Sequence, residues 1–157
     1  MPRSRMQMTF PNEILLEEVA ALLAEGRDVE LMTKGTSMLP FIVGGRDSVI
    51  LRKKACNSLQ PGDIVLARRS PGNYVLHRIV AVKEEEVTLR GDGNVSGTEK
   101  VGVKDILGKV MAIVGSSGRK RVPGSAYLWR QLPPFVRRCI LALYRRTIHK
   151  IIMKDED

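Results

Sequence analysis

The stretch IVLARRSPGNYVLHRIVAV, residues 64–82, contains the clearest strand pattern of this chain. Residues 64–67 and 74–82 are rich in Val, Ile, Leu and Tyr, residue types that favour β-strands. Between them, Pro71-Gly72-Asn73 is typical of a tight turn, because each of these residues suits a turn conformation. The stretch therefore predicts an antiparallel β-hairpin.

The sequence around this hairpin continues the pattern of short strands and turns. Turn-forming residues recur at Gly44-Gly45, Gln60-Pro61-Gly62-Asp63 and Gly91-Asp92-Gly93-Asn94. The segments between the turns predict strands at 29–32, 48–52, 64–67, 74–82, 86–90 and 106–114. Six short strands at this spacing predict a mainly β fold, a compact and bent antiparallel barrel or sandwich.

Helices are predicted at both ends of the chain. Residues 12–25 have apolar residues at helical spacing, and Gly26 stands where a helix commonly ends. Residues 125–153 have the same spacing, interrupted by Pro133-Pro134. On a helical wheel the apolar face of this second segment contains Val136, Ile140, Leu143, Tyr144, Thr147 and Ile151. Arg138, Arg145, Arg146 and His149 lie largely on the opposite face.

These patterns divide the 157 residues into four segments. We expect an N-terminal helical segment over 1–27, a β domain over 28–115, a linker over 116–124 and a basic amphipathic helical tail over 125–157. The apolar fraction of 43% is sufficient for the core of one domain.

Positive charge is concentrated in the tail. Residues 119–157 contain ten Lys or Arg and three Asp or Glu, so they contribute +7 of the total net charge of +9. Basic tails attract anionic lipid, nucleic acid or an acidic protein surface. Such a helix could also pack on the domain itself.

Cysteine and histidine counts exclude several classes of protein. Cys56 and Cys139 are far apart and form no C-x-x-C pair, which argues against a disulfide scaffold, a zinc site or a thioredoxin-like motif. His77 and His149 are the only histidines, so a histidine-rich metal site is excluded. We expect no metal and no cofactor.

Neither a signal peptide nor a membrane-spanning segment is evident. The longest apolar runs, 19–24 and 139–144, have six residues each, whereas a spanning helix needs about 20. The expected location is therefore cytoplasmic, with peripheral attachment to a membrane through the tail as an open alternative.

A serine and a histidine lie in settings that suit catalysis. Ser37 follows the small, flexible Gly35 and Thr36 and precedes Pro40, so a hydroxyl can be presented at a strand end. His77 lies inside a predicted strand, which can hold it rigidly. Together they offer a nucleophile and a general base. The plainer alternatives are a turn hydroxyl for Ser37 and a structural histidine for His77.

Five sequence blocks extend this pair into a family pattern. They are, in order, Thr33-Lys34-Gly35-Thr36-Ser37-Met38-Leu39-Pro40, Gln60-Pro61-Gly62-Asp63-Ile64-Val65, Val75-Leu76-His77-Arg78-Ile79-Val80, Leu89-Arg90-Gly91-Asp92-Gly93-Asn94 and Leu107-Gly108-Lys109-Val110. This succession resembles the S24/S26 serine peptidase superfamily, which includes type I signal peptidases and LexA-like self-cleaving repressors. The histidine in the third block resembles the branch typified by endoplasmic-reticulum, archaeal and SipW-like signal peptidases, which has His where other members have Lys.

The resemblance implies a role for each matching residue. It implies that Ser37 is the nucleophile, that His77 is the general base, and that Asp92 is the acidic residue that orients the histidine. The oxyanion and the substrate would be bound around Thr36, Ser37 and Met38, with the substrate extended along a strand edge. Endoplasmic-reticulum-type enzymes have further aspartates after the fourth block. This chain has Glu99 there, which is the alternative acidic partner.

Three functional hypotheses follow from this resemblance. The first is a serine endopeptidase that cuts a peptide or leader by acyl transfer. The second is a catalytically idle module of the same fold that binds a partner peptide or a membrane surface. The third, a LexA-like regulator, is less favoured because 28 residues before the first strand are too few for a helix-turn-helix domain; nucleic acid is therefore not the expected partner.

Overall fold

The computed structural model describes residues 12–152, with side chains over 14–148. The outer parts of the predicted terminal segments, and the predicted positions of the His149 and Ile151 side chains, lie outside this range. The helices are α1 (Asn12–Ala24), α2 (Tyr127–Gln131) and α3 (Pro134–Ile152). The strands are β1 (Val29–Met32), β2 (Ser48–Arg52), β3 (Ile64–Ser70), β4 (Asn73–Lys83), β5 (Glu86–Arg90), β6 (Glu99–Gly102), β7 (Ile106–Val114) and β8 (Lys120–Arg121).

All eight strands belong to one antiparallel sheet. The order is β1-β2-β7-β3-β4-β5-β6, and β8 pairs with β7. The predicted hairpin is β3 and β4, with His77 opposite Val65. The mainly β fold with helices at both ends is confirmed. The strand pairing leaves β1 and β6 at opposite edges, so it does not close into a barrel.

Two strands were not predicted from the sequence. β6 begins at Glu99 and pairs with β5, so it brings this residue alongside Leu89. β8 lies inside the segment expected to be a linker, where Lys120 pairs with Val114 at the end of β7. Both strands are short and polar, so neither has the apolar alternation by which the others were recognised.

Helix α1 covers one side of the sheet. Val19 and Leu23 of this helix are buried in a cluster with apolar residues of β2, β3 and β7. Gly108 of β7 allows the close approach, because a Cβ there would lie 3.0 Å from Leu23 Cδ1. Ile14, on the predicted apolar face of α1, is exposed.

The C-terminal helices pack against the loop that contains Ser37. Trp129 of α2 and Leu141 of α3 are buried together with Leu39 and Val43 of that loop. Of the predicted apolar face of α3, Ile140 packs against this cluster, whereas Leu143 is exposed. Within the described residues, no helix has both the length and the apolar character needed to cross a bilayer.

Candidate active site

Ser37 lies in the loop between β1 and β2. Hydrogen bonds between buried polar groups hold the two ends of this loop together. The Thr33 hydroxyl donates to the carbonyl oxygen of Asp47 at 2.7 Å, and the Val43 N–H donates to the Asp47 carboxylate at 2.9 Å. Asp47 is fully buried and pairs with Arg46 at 2.8 Å. Burial opposes its charge, but the hydrogen bonds from Arg46 and Val43 prevail and lower the pKa of Asp47.

Within this loop the backbone around Ser37 turns sharply. The Leu39 N–H donates to the Thr36 carbonyl, and the Ile42 N–H donates to the Met38 carbonyl at 3.0 Å. Met38 is buried in the apolar cluster under α1 and Leu39 in the cluster with the C-terminal helices, whereas Ser37 is half-buried. Because Met38 and Leu39 are buried, the backbone at Ser37 is held in place while the Ser37 side chain stays accessible.

The Gly91–Asn94 turn joins the Ser37 loop to the histidine strand. The Gly93 N–H donates to the Ser37 carbonyl at 2.8 Å. A Cβ on Gly91 would lie 2.4 Å from the Ser37 carbonyl oxygen and 3.2 Å from His77 Nε2. Because both neighbours meet the same glycine, the structure brings Ser37 and His77 together. Only glycine allows so close an approach.

His77 is held inside the sheet with one ring nitrogen facing Glu99. The residue is 5% exposed, and its Nε2 faces Gly91 on the serine side. Its Nδ1 lies 3.4 Å from Glu99 Oε2. The second Glu99 oxygen, Oε1, accepts from Arg69 Nη1 at 3.1 Å. The sequence offered no sign that Arg69 would join this group.

The electrostatics of this group favour a neutral imidazole. Burial lowers the pKa of His77 and outweighs Glu99, whose negative charge raises it. A base must be unprotonated before it can accept a proton, so the lowered pKa keeps His77 competent at neutral pH.

Asp92, the acidic partner implied by the resemblance, has a different partner in the structure. Both of its carboxylate oxygens accept from Arg78, from Nε at 2.8 Å and from Nη2 at 2.7 Å. The pair is almost fully buried. The carboxylate that faces His77 Nδ1 is that of Glu99, which is the alternative left open by the sequence.

The Arg78–Asp92 pair also fastens the C-terminal segment to the domain. Arg78 Nη1 donates to the carbonyl oxygens of Gly62 at 2.8 Å and Gly124 at 2.6 Å. Trp129 Nε1 donates to the Asp92 carbonyl at 2.9 Å. These contacts link β4, the turn after β5 and helix α2. Arg78 stands next to His77 in the sequence, but nothing in the local pattern predicted this role.

The residues predicted to bind the oxyanion are Thr36, Ser37 and Met38. The backbone N–H groups of Thr36, Ser37 and Met38 donate to no residue that the structure describes, so they are available to an oxyanion. The Ser37 hydroxyl and His77 share no hydrogen bond, and a catalytic hydrogen bond of this kind often tightens only when substrate binds. The two residues are thus adjacent but not yet engaged.

Comparison with known proteins adds no family assignment. No protein-family model matches the chain, and no curated protein is significantly similar to it. The resemblance of the five sequence blocks to the S24/S26 superfamily therefore stays a prediction.

Proposed function

We propose that this chain is a serine endopeptidase of the S24/S26, signal peptidase-like type, in which Ser37 and His77 cleave a peptide or leader by acyl transfer. The observation that carries the proposal is the meeting of the Ser37 carbonyl and His77 Nε2 on Gly91. The backbone of the proposed nucleophile and the ring of the proposed base, from segments 40 residues apart, converge there. The N–H groups of Thr36, Ser37 and Met38 beside them donate to no described residue.

Each residue has a defined role in the proposed reaction. His77 Nε2 accepts the Ser37 hydroxyl proton as Oγ attacks the carbonyl carbon of the scissile bond. The negative oxygen that forms is held by the N–H groups around Ser37 and Met38. The protonated imidazole then gives its proton to the departing amine. Water, activated by His77 in the same way, hydrolyses the acyl-enzyme.

Glu99 supports this cycle without exchanging a proton. Its carboxylate faces Nδ1, so it selects the tautomer in which Nε2 is free to accept, and it stabilises the imidazolium that forms. Arg69 holds the other oxygen of Glu99 and thereby restricts its orientation. Glu99 takes the role that the resemblance assigned to Asp92.

The direct test is covalent labelling of Ser37. The purified chain is treated with a fluorophosphonate, the adduct is located by mass spectrometry, and a peptide-library digest is run in parallel. We expect an adduct on Ser37 and cleavage that is lost in Ser37→Ala and His77→Ala. The control Ser116→Ala removes an exposed turn hydroxyl and should leave both signals unchanged. Undiminished cleavage by Ser37→Ala would refute the proposal.

A second candidate function is a catalytically idle module that binds a partner peptide. The departure at the acidic position favours it, because both oxygens of Asp92 are bound by Arg78 instead of orienting His77. Absence of both the adduct and the cleavage, from protein whose folding is verified by circular dichroism, would favour this function over the peptidase.

A further inference from the structure

Four arginines meet in a cleft beside the candidate active site. Arg78 and Arg90 are directly opposite each other on β4 and β5. Arg130 comes from α2 and Arg137 from α3, and all four line the same cleft. Gly91, which contacts Ser37 and His77, lies at its border.

The positive charge of this cleft is not balanced by the described residues. Asp92 is the one acidic residue that lines it, and both of its oxygens are taken by Arg78. Arg90 Nε and Arg137 Nε are buried and have no hydrogen-bond partner among the described residues. Arg137 is only 8% exposed. Buried charged donors without an acceptor are costly and uncommon, so this arrangement calls for an anion.

The shape of the cleft defines how the anion is held. Its cavity volume is about 10 Å³, at the lower limit of what can hold a single water molecule. It can therefore admit one oxygen of an oxyanion while the remainder stays at the mouth. The planar guanidinium groups of arginine suit the paired oxygens of a phosphate.

Exposed apolar side chains lie on the same two helices that contribute Arg130 and Arg137 to the cleft. Tyr127 and Leu128 of α2 are 61% and 80% exposed, and Phe135 of α3 is 67% exposed. Arg130 and Arg137 follow them closely in the sequence. Exposed aromatic and aliphatic side chains next to arginines are typical of a surface that lies in the headgroup region of an anionic bilayer.

We propose that the cleft formed by Arg90, Arg130 and Arg137 binds the phosphate of an anionic phospholipid. Tyr127, Leu128 and Phe135 enter the headgroup–acyl boundary beside it. The buried Nε groups of Arg90 and Arg137 then gain an acceptor, and the exposed apolar surface leaves water. This binding requires no peptidase activity, so it can be tested separately from the proposed function.

The test is co-sedimentation of the full chain with vesicles of phosphatidylcholine alone or mixed with phosphatidylglycerol. We expect binding to the mixed vesicles only. Arg137→Gln should weaken it by more than about fivefold, the loss expected from removing one charge near an anionic surface. The control Arg138→Gln removes the same charge from an exposed neighbour and should cost no more than that. Equal losses in the two variants would show diffuse attraction and overturn the proposal.

A second set of measurements guards against unfolding and identifies the anion source. Arg130→Gln alters an exposed side chain, so the variant should fold, and an unchanged melting temperature would verify this. It should weaken vesicle binding as Arg137→Gln does. Leu128→Asn should also weaken binding if the apolar residues enter the bilayer.

If inorganic phosphate raises the melting temperature while vesicles fail to bind, the cleft binds free phosphate and the lipid proposal is wrong. Binding of duplex DNA, with the same arginine dependence and no vesicle binding, would equally refute it.

Discussion

Glu99 Oε2 lies 3.4 Å from His77 Nδ1, and neither of these buried atoms has a hydrogen-bond partner in the part of the chain that the structure describes. The separation is slightly longer than a hydrogen bond, so a small rotation of either side chain would close it. The other end of the glutamate is held by Arg69. A carboxylate in this position can orient the imidazole of His77.

Replacing Glu99 with glutamine should reduce catalysis and lower the pKa of His77 further. The negative charge of Glu99 raises that pKa against the effect of burial, so its removal leaves burial unopposed. We expect kcat to fall by about tenfold or more, because general-base catalysis contributes about 10²- to 10⁴-fold and depends on ring orientation.

The control for this prediction is Glu86→Gln. Glu86 makes an exposed ion pair with Lys100, so its loss changes the net charge equally without touching the site. Equal activity of Glu99→Gln and Glu86→Gln would contradict the positioning role.

The pH dependence of activity follows from the same group. Burial lowers the pKa of His77 below its ordinary value of 6.5. A general base acts when unprotonated, so kcat/KM should rise through a midpoint below pH 6.5 and remain level through neutral pH. The midpoint is measured independently by NMR titration of the His77 ring protons, assigned with His77→Ala. A midpoint above 6.5 would show that Glu99 outweighs burial.

An alanine at Gly91 should disrupt the junction of the serine and histidine segments. Its Cβ would lie 2.4 Å from the Ser37 carbonyl oxygen, which is backbone and cannot move without shifting the loop. We expect a loss of stability of about 1–3 kcal/mol in urea unfolding, together with loss of labelling at Ser37. Gly124→Ala is the matched control, since a Cβ there meets nothing within 4 Å. Normal labelling of Gly91→Ala would exclude this junction as the site.

Asp92 should prove to be a structural residue. Asp92→Asn leaves the guanidinium of Arg78 buried without its counter-charge, and breaking a buried ion pair in this way costs about 3–5 kcal/mol. We therefore expect a large fall in the urea concentration at the midpoint of unfolding. The pKa of His77 should change less in this variant than in Glu99→Gln. Retained stability combined with lost activity would instead support Asp92 as the partner of His77.

Six of the eight strands, and the turns between them, could be predicted from the amino-acid sequence. Val, Ile, Leu and Tyr in short runs, separated by Gly, Pro and Asn, predict six strands that the structure contains, since these signals act over a few residues. The motif around Ser37 and the strand around His77 likewise singled out two residues that the fold brings together. Local chemistry carried each of these predictions.

The carboxylate that faces His77 and the position of the C-terminal helices could not be predicted, because both depend on contacts between distant segments. Glu99 reaches the histidine because β6 pairs with β5 in one register, with Glu99 opposite Leu89. Asp92 is drawn away because Arg78 is buried within reach of both its oxygens. Such pairings depend on strand register and on contacts between distant segments. A local pattern encodes neither, so residues of equal charge a few positions apart could not be distinguished until the chain had folded.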